Sequence, residues 1–312
     1  MLIPTPDTIA RAADLIAPHI RQTPILEVEP AAFGTPGPLT LKLEHTQITG
    51  SFKVRGAFTN MLTREVPGAG VVAASGGNHG AAVAYAASTL GHRSTIYVPR
   101  VIAKEEKLRR MRAFGGEVVL TEGSVADCMA EYAAAAEQSG ALPVHPYDSE
   151  GTLAGQGTVA REIETQMGGI DTVLVATGGG GLIGGIAAWF GDRVKVVSVE
   201  TEGTNTLARS LAERPDIDVK ATGVAAGSLG GPALGALPYE VVKARVSTAL
   251  VLPDEAVYAA ARKLWEITRL ACEPGGAVAL AALTTGAYRP APDERICVLI
   301  CGGNAEIGWF LP

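Results

Sequence analysis

Cysteine is scarce in this chain. Its 312 residues include four, Cys128, Cys272, Cys297 and Cys301, with no C-x-x-C spacing among them. That excludes a disulfide scaffold and a zinc ribbon, and it fits a reducing, cytoplasmic setting. A basic surplus is missing too: 26 Lys and Arg stand against 32 Asp and Glu, a net charge of −6. Nucleic acid is therefore not expected as a partner, because binding phosphates needs a basic surface. Only 19% of residues are charged while 47% are hydrophobic, which rules out a disordered or fibrous protein. A secretion signal is not expected, because Asp7, Arg11 and Asp14 interrupt any basic-then-apolar order at the start. No repeat with a period of about 20–50 residues occurs, and no low-complexity linker.

Glycine, by contrast, is plentiful. Its 38 copies show no triplet period and fall in short clusters, which points to tight loops and not to collagen. One uncharged stretch, Thr172–Phe190, imitates a membrane span but holds six glycines, four of them in a row. Such a run breaks a helix, so a buried strand, a loop and a helix are expected there, and no membrane partner. A chain of this length divided by about 150 residues per domain predicts two domains.

Short apolar runs alternate with amphipathic segments. Strands are expected at 71–74, 95–98, 117–120, 172–176, 195–199 and 296–300. Helices are expected at 79–90, 104–114, 124–138, 152–166, 182–190, 254–268 and 277–284. This alternation predicts an α/β protein with mainly parallel sheets covered on both faces. Pro143–Asp148 (PVHPYD) is the candidate crossing between two lobes. Ligands of open parallel sheets bind at the carboxyl ends of strands, often at such a boundary.

Four segments could carry chemistry. Thr177–Leu182 (TGGGGL) lies between a strand and a helix, where bare backbone N–H groups and the helix dipole can hold an anion. A plain tight turn would need one or two glycines. A dinucleotide site would need G-x-G-x-x-G and a following acidic residue, for which Glu200 is a partial match. In SFKVRGA, Lys53 sits between Phe52 and Val54; apolar company lowers a lysine's pKa, as a Schiff-base lysine requires, although a surface lysine is the commoner case. Ser75–Gly80 (SGGNHG) is a second strand–loop–helix turn, with Asn78 as donor and acceptor and His79 either a base or a buried, hydrogen-bonded histidine. Ile296–Asn304 (ICVLICGGN) ends a strand at Cys301, which reads as cleft lining.

In this order the segments resemble the tryptophan-synthase-β-like, fold type II, pyridoxal-phosphate enzymes, and within them the serine/threonine dehydratases and serine racemases. The resemblance runs from RQTPIL (21–26) and KLEHTQITGSFKVRGA (42–57) through HPYD and AGQGT (154–158) to CEPGGA (272–277) and CGGN (301–304). It implies two lobes of three-layer parallel sheet: a large cofactor-binding domain of residues 1–68 and 146–312, and a small domain of 69–145. It implies pyridoxal 5'-phosphate on Lys53 with Phe52 beside the ring. Asn78 faces the cofactor's 3-oxygen, Gly178, Gly179, Gly180, Gly181 and Leu182 hold the phosphate, and Cys301 faces the pyridine nitrogen. Ser75, Gly76, Asn78 and His79 receive the substrate carboxylate. Some relatives bind Mg2+ or another divalent cation where Glu200 and Thr204 stand here, but Thr206 occupies the place of a completing aspartate. A homodimer is the family expectation.

The resemblance further implies β-elimination of a β-hydroxy amino acid, such as L-serine or L-threonine, to a 2-oxo acid and ammonia. A thiol at 301 is mostly uncharged at neutral pH and cannot fix a proton on the ring nitrogen, which favours expelling a β-leaving group over transamination. Racemases of this family carry a serine where Gly76 stands, so an isomerase is the alternative reading. A bulkier β-hydroxy substrate is another, since glycine leaves room. Allosteric feedback through an appended effector domain is not expected, because about another hundred residues would have to follow CGGN.

Overall fold

The computed structural model of the chain describes residues 2–310. Helix α1 (Pro6–Ile16) begins on Thr5, whose hydroxyl accepts the Thr8 N–H, with proline in the first turn where its missing N–H is not needed. Next come β1 (Ile25–Val28), β2 (Leu39–Lys42) and α2 (Lys53–Leu62). A run of alternating elements follows: β3 (Val71–Ala74), α3 (Asn78–Thr89), β4 (Ser94–Pro99), α4 (Glu105–Ala113), β5 (Glu117–Thr121), α5 (Val125–Ser139) and β6 (Leu142–Pro143). The rest is α6 (Glu150–Met167), β7 (Thr172–Ala176), α7 (Gly181–Phe190), β8 (Lys195–Thr201), α8 (Thr206–Ala212), α9 (Ala226–Leu229), α10 (Ala236–Arg245), β9 (Val246–Leu252), α11 (Asp254–Thr268), α12 (Pro274–Thr284) and β10 (Ile296–Leu299).

The strands make two sheets. Four form β5-β4-β3-β6, all parallel; six form β1-β2-β10-β7-β8-β9, parallel except for the antiparallel edge strand β1. Helices connect parallel neighbours because a parallel pair cannot be joined by a tight turn. The α/β, fold type II architecture expected from the sequence is the one observed. Thr172–Phe190 is β7, a glycine loop and α7, and no helix among the described residues is long and apolar enough to cross a membrane.

Each sheet has its own core. Val173, Leu174, Val175, Val197, Val298 and Leu299 lie at the centre of the larger one, and Val71, Ala73, Ile96 and Val98 at the centre of the smaller. Burial of each valine, leucine or isoleucine among them contributes about 1.5–3 kcal/mol. Ile16, Val54, Phe58 and Met61 belong to the smaller core, so α2 and the end of α1 lean on that sheet although they precede residue 69, while Ile9 and Ala12 of α1 pack on Ala154 of α6. Segment 143–148 does cross: Val144 N–H donates to Val72 in the small sheet, and Ser149 caps α6 against the large one.

A charged block is buried between α2, β2 and α6. The Arg55 guanidinium grips both oxygens of Glu44 at 2.7 and 2.9 Å and reaches Glu162 at 2.8 Å. Lys42 spends its three N–H donors on Glu162, Gln166 and the Thr23 carbonyl, all within 2.8 Å. Buried charge is tolerated only with partners of this completeness. The block fixes the start of α2, two residues before Arg55.

Candidate active site

Lys53 is the first residue of α2. Its N-cap, Phe52, donates its N–H to the Cys301 carbonyl at 3.3 Å, and Ser51 bridges Gly302, so the lysine is pinned beside the end of β10. Gly50 makes the turn before it with φ +76, and a Cβ there would overlap the Asn304 side chain. The Lys53 Nζ donates to the Pro146 carbonyl at 2.7 Å and lies 5.2 Å from the centre of the Phe52 ring. Burial brings its pKa down to about 8, the Cys301 thiol and Glu273 pulling the other way.

The residue after Pro146 ties this amine to the glycine loop. The Tyr147 ring lies flat over Gly179, where a Cβ would come within 2.3 Å of Cδ1, and its backbone packs on Gly181. A Cβ on Gly178 would meet the Leu229 carbonyl at 2.7 Å. Gly180 caps α7 with φ +88. Among the described residues, the N–H groups of Gly178, Gly179 and Gly180 donate to no protein acceptor. They sit at the carboxyl end of β7 and the amino end of α7, with the first-turn N–H groups of Gly181 and Leu182 behind them.

The second loop comes from the other sheet. Ser75 follows β3, and its hydroxyl accepts the Gly77 N–H at 3.2 Å. Gly76 faces aliphatic groups: a Cβ there would meet Ile102 Cδ1 at 3.1 Å and Val98 Cγ1 at 3.6 Å. A side chain at 76 would thus press on the end of the Ile102 side chain. Asn78 opens α3 and is held at both ends, donating to Glu273 Oε1 at 2.6 Å and accepting from Asn304 Nδ2 at 2.8 Å. Asn304 also donates to the Thr49 carbonyl, so one chain of hydrogen bonds joins both lobes across the cleft. His79 turns away: its Nε2 bonds the Val144 carbonyl at 2.8 Å, and burial lowers its pKa to about 3. The imidazole is a neutral tie between α3 and segment 143–148, which leaves only its backbone N–H for an anion. Cys301 donates its thiol to the Gly275 carbonyl at 3.4 Å, and burial raises its pKa well above the usual value, so it is uncharged.

The amine, the unspent loop and the thiol meet between two strand ends, and the sequence profile of the "Pyridoxal-phosphate dependent enzyme" family matches residues 16–302. The chain belongs to that family. It is 33% identical over 307 residues to the catabolic L-threonine dehydratase of Staphylococcus aureus, covering 96% of this chain and 88% of that one. It is 32% identical over 310 residues to a serine racemase of Oryza sativa, covering 96% and 91%. The structure of maize serine racemase superposes with a TM-score of 0.91 at 33% identity, covering 98% and 95%.

This pyridoxal-phosphate enzyme has a donor set that fits its cofactor. Bare glycines with unspent N–H groups suit a phosphate, the desolvated amine of Lys53 suits an aldehyde, and a neutral thiol suits a ring nitrogen left without a counter-charge. The side chains at the position expected for a divalent cation have protein partners. The two Glu200 oxygens accept the Leu207 and Ala208 N–H groups at 2.7 and 2.8 Å, capping α8, and burial pushes the carboxyl up to about 8. The hydroxyls of Thr204 and Thr206 are spent on Thr201 and the Gly231 carbonyl, whereas the atom that the cation reading names at 204 is the backbone carbonyl. No group of three or more His, Cys, Asp or Glu suited to a metal occurs among the described residues. Glu200 is an N-terminal helix cap, a role that a single acidic residue at a strand end does not announce.

Sequence reasoning gave no role to Tyr147, Glu273 or Asn304. All three stand inside motifs it quoted, HPYD, CEPGGA and CGGN. Their partners are up to 255 residues away, so spacing along the chain could not pair them.

Proposed function

We propose that the enzyme removes the β-hydroxyl and the amino group of a β-hydroxy amino acid, such as L-serine or L-threonine, yielding a 2-oxo acid and ammonia. The bound cofactor supplies an aldehyde for the amino group and a ring that takes up an electron pair from Cα. Lys53, with its lowered pKa, is available as a neutral amine to accept the Cα proton. Gly178–Gly181 and Leu182 hold the phosphate through backbone N–H groups, Phe52 packs beside the ring, and Asn78 has one amide hydrogen left for an oxygen acceptor. The loop Ser75–His79 takes the substrate carboxylate at the amino end of α3. The neutral Cys301 leaves the ring a weaker electron sink than a carboxylate partner would, which favours loss of a β-leaving group.

The observation that carries this reading over racemisation is Gly76. A racemase needs a second acid–base group, and what surrounds this position is the methyl groups of Ile102 and Val98. The test is to incubate the purified enzyme with a panel of β-hydroxy amino acids and measure 2-oxo acid and enantiomer composition together. Oxo acid should form faster than enantiomers interconvert; the reverse would make the protein a racemase. Lys53→Ala should abolish both products and the cofactor's visible absorbance.

The same reading divides the chain into a cofactor domain of 1–68 with 146–312 and a substrate-loop domain of 69–145. It makes the protein a cytoplasmic homodimer.

A further inference from the structure

Segment 144–148 makes a different attachment at every residue. Val144 accepts the His79 Nε2–H and donates its own N–H to Val72. Pro146 accepts from the Lys53 amine at 2.7 Å. Tyr147 lies over Gly179 and Gly181. The Asp148 carboxylate accepts the Leu237 N–H at 2.9 Å, in the first turn of α10. His145 is the residue that bends the segment. Its Nδ1 accepts the N–H groups of both Tyr147, at 3.3 Å, and Asp148, at 2.8 Å. Its carbonyl accepts the Thr152 hydroxyl at 2.9 Å, in the first turn of α6. The ring stands nearly perpendicular to that of Tyr147, with centroids 4.7 Å apart.

A ring nitrogen that accepts two N–H groups carries no proton, so this imidazole is neutral with its hydrogen on Nε2. Burial brings its pKa down to about 4, Asp148 pulling the other way and Lys53 adding to the fall. The titratable groups that face it are Lys53 of α2, His79 of α3 and Asp148 on its own segment. Asparagine and aspartate make turns of the same kind, taking the N–H two residues on.

We propose that His145 is a positioning residue for the Lys53 amine, with Nδ1 as the acceptor that folds residues 146–148 into the turn on which the amine and the glycine loop both rest. This rests on the reading that Lys53 carries the cofactor and takes the Cα proton. Pro146 has no N–H, so residues 146–148 hold two, and both go to this ring. The turn aims the Pro146 carbonyl at the amine and the Tyr147 ring at the phosphate loop. An amine that donates an N–H to a fixed carbonyl keeps its lone pair directed away from that oxygen. Without the turn the carbonyl moves, and the amine loses its register with the loop. His145 acts on both through the backbone, and it neither gains nor loses a proton in the reaction. Misplacing a reacting group by about 1 Å costs about a hundredfold in rate.

The experiment sets an acceptor against a volume. His145→Asn keeps a side-chain acceptor for the turn and loses the bulk of the ring. His145→Leu keeps bulk and loses the acceptor. Each variant, freed of cofactor, is given pyridoxal phosphate, and visible absorbance follows the rate at which the amine links to the aldehyde. The thermal midpoint, and kcat and KM for serine, are measured beside it. The inference expects His145→Leu to lower the linkage rate and kcat about tenfold to a hundredfold, with KM little changed. His145→Asn should recover most of both, even if its thermal midpoint is the lower of the two. A leucine variant that links its cofactor as fast as the asparagine variant would assign the residue to packing and overturn the proposal. The tautomer gives a second test in the unaltered holoenzyme, by 15N NMR with labelled histidine. A proton on Nε2 of His145 supports the turn; one on Nδ1 would leave Tyr147 and Asp148 without their acceptor and overturn it. A Lys53→Ala protein that still develops the visible absorbance would overturn the underlying reading instead.

Discussion

Lys53 and Pro146 are joined by a 2.7 Å hydrogen bond from ammonium to carbonyl, across 93 residues of sequence. The bond holds the amine at the crossing between the lobes. It offers no negative charge to offset burial, so the lysine pKa falls to about 8. The sign follows directly: lowering the pKa enlarges the neutral, nucleophilic fraction at a given pH. At pH 7 about a tenth of this amine is neutral, against fewer than about one in a thousand for an unperturbed lysine. Reconstitution of the cofactor-free protein, followed by visible absorbance, should therefore speed up as pH rises and level off above about 8. A midpoint near 10 would show the amine to be hydrated like any surface lysine.

The next residue along, Tyr147, makes a steric prediction. Because the Tyr147 ring covers Gly179, Gly179→Ala drives a methyl group into the ring or moves the loop away from it. Overpacking of this kind costs about 1–3 kcal/mol. If the loop gives way, its N–H groups lose their convergence and cofactor affinity falls about ten- to a hundredfold. Titration of the variant with pyridoxal phosphate measures this. Adding Tyr147→Ala should recover part of the loss, giving a double-mutant cycle with a clear coupling.

Much of this arrangement was legible in the sequence, but unevenly. Val71–Ala74, Thr172–Ala176 and Asp254–Thr268 have the bounds expected of them, because each has a clear period and a glycine, proline or aspartate at its edge. The elements before residue 70 were not readable. In β2, LTLK, the lysine is fully buried, and Glu162 and Gln166, on a helix more than a hundred residues later, make that tolerable together with the Thr23 carbonyl. His79 shows the same limit at the site. Its place in SGGNHG points at the cleft, whereas its ring is claimed by a carbonyl from the crossing segment.

The buried charge block should be costly to break. Arg55→Met leaves Glu44 without its guanidinium partner in a site that water does not reach, a change worth about 3–5 kcal/mol of stability. Burial raises the Glu44 pKa, but Arg55 and Lys42 together bring it below its ordinary value. In the wild type the stability this supplies is present above the ordinary carboxylate range and is lost as pH falls through the lowered folded value. In the variant only burial and the more distant lysine act strongly, so protonation relieves it. Denaturant unfolding should show the largest gap between the two proteins at neutral pH and a narrowing gap in acid. A gap that does not change with pH would mean the loss comes from packing alone.

The proposed preference for elimination over racemisation turns on position 76, and one substitution examines it. A serine there would bring a hydroxyl to the carboxylate loop in place of a hydrogen atom. The backbone does not forbid it: the nearest obstacle to the new Cβ is Ile102 Cδ1 at 3.1 Å, the far end of a side chain that is 48% exposed. Ile102 can swing outward, so Gly76→Ser should fold with a thermal midpoint within a few degrees of the wild type, as expected for a change of about 1 kcal/mol or less. Its hydroxyl then supplies what the Ile102 and Val98 methyl groups cannot, a proton donor and acceptor separate from Lys53. The ratio of enantiomer interconversion to 2-oxo-acid formation should rise by about tenfold or more, the low end of what a positioned acid–base group contributes. Ile102→Ala combined with Gly76→Ser should raise it no less, since it frees the space the hydroxyl needs. If the ratio stays at the wild-type value in both variants while cofactor absorbance is intact, glycine at 76 is not what suppresses racemisation.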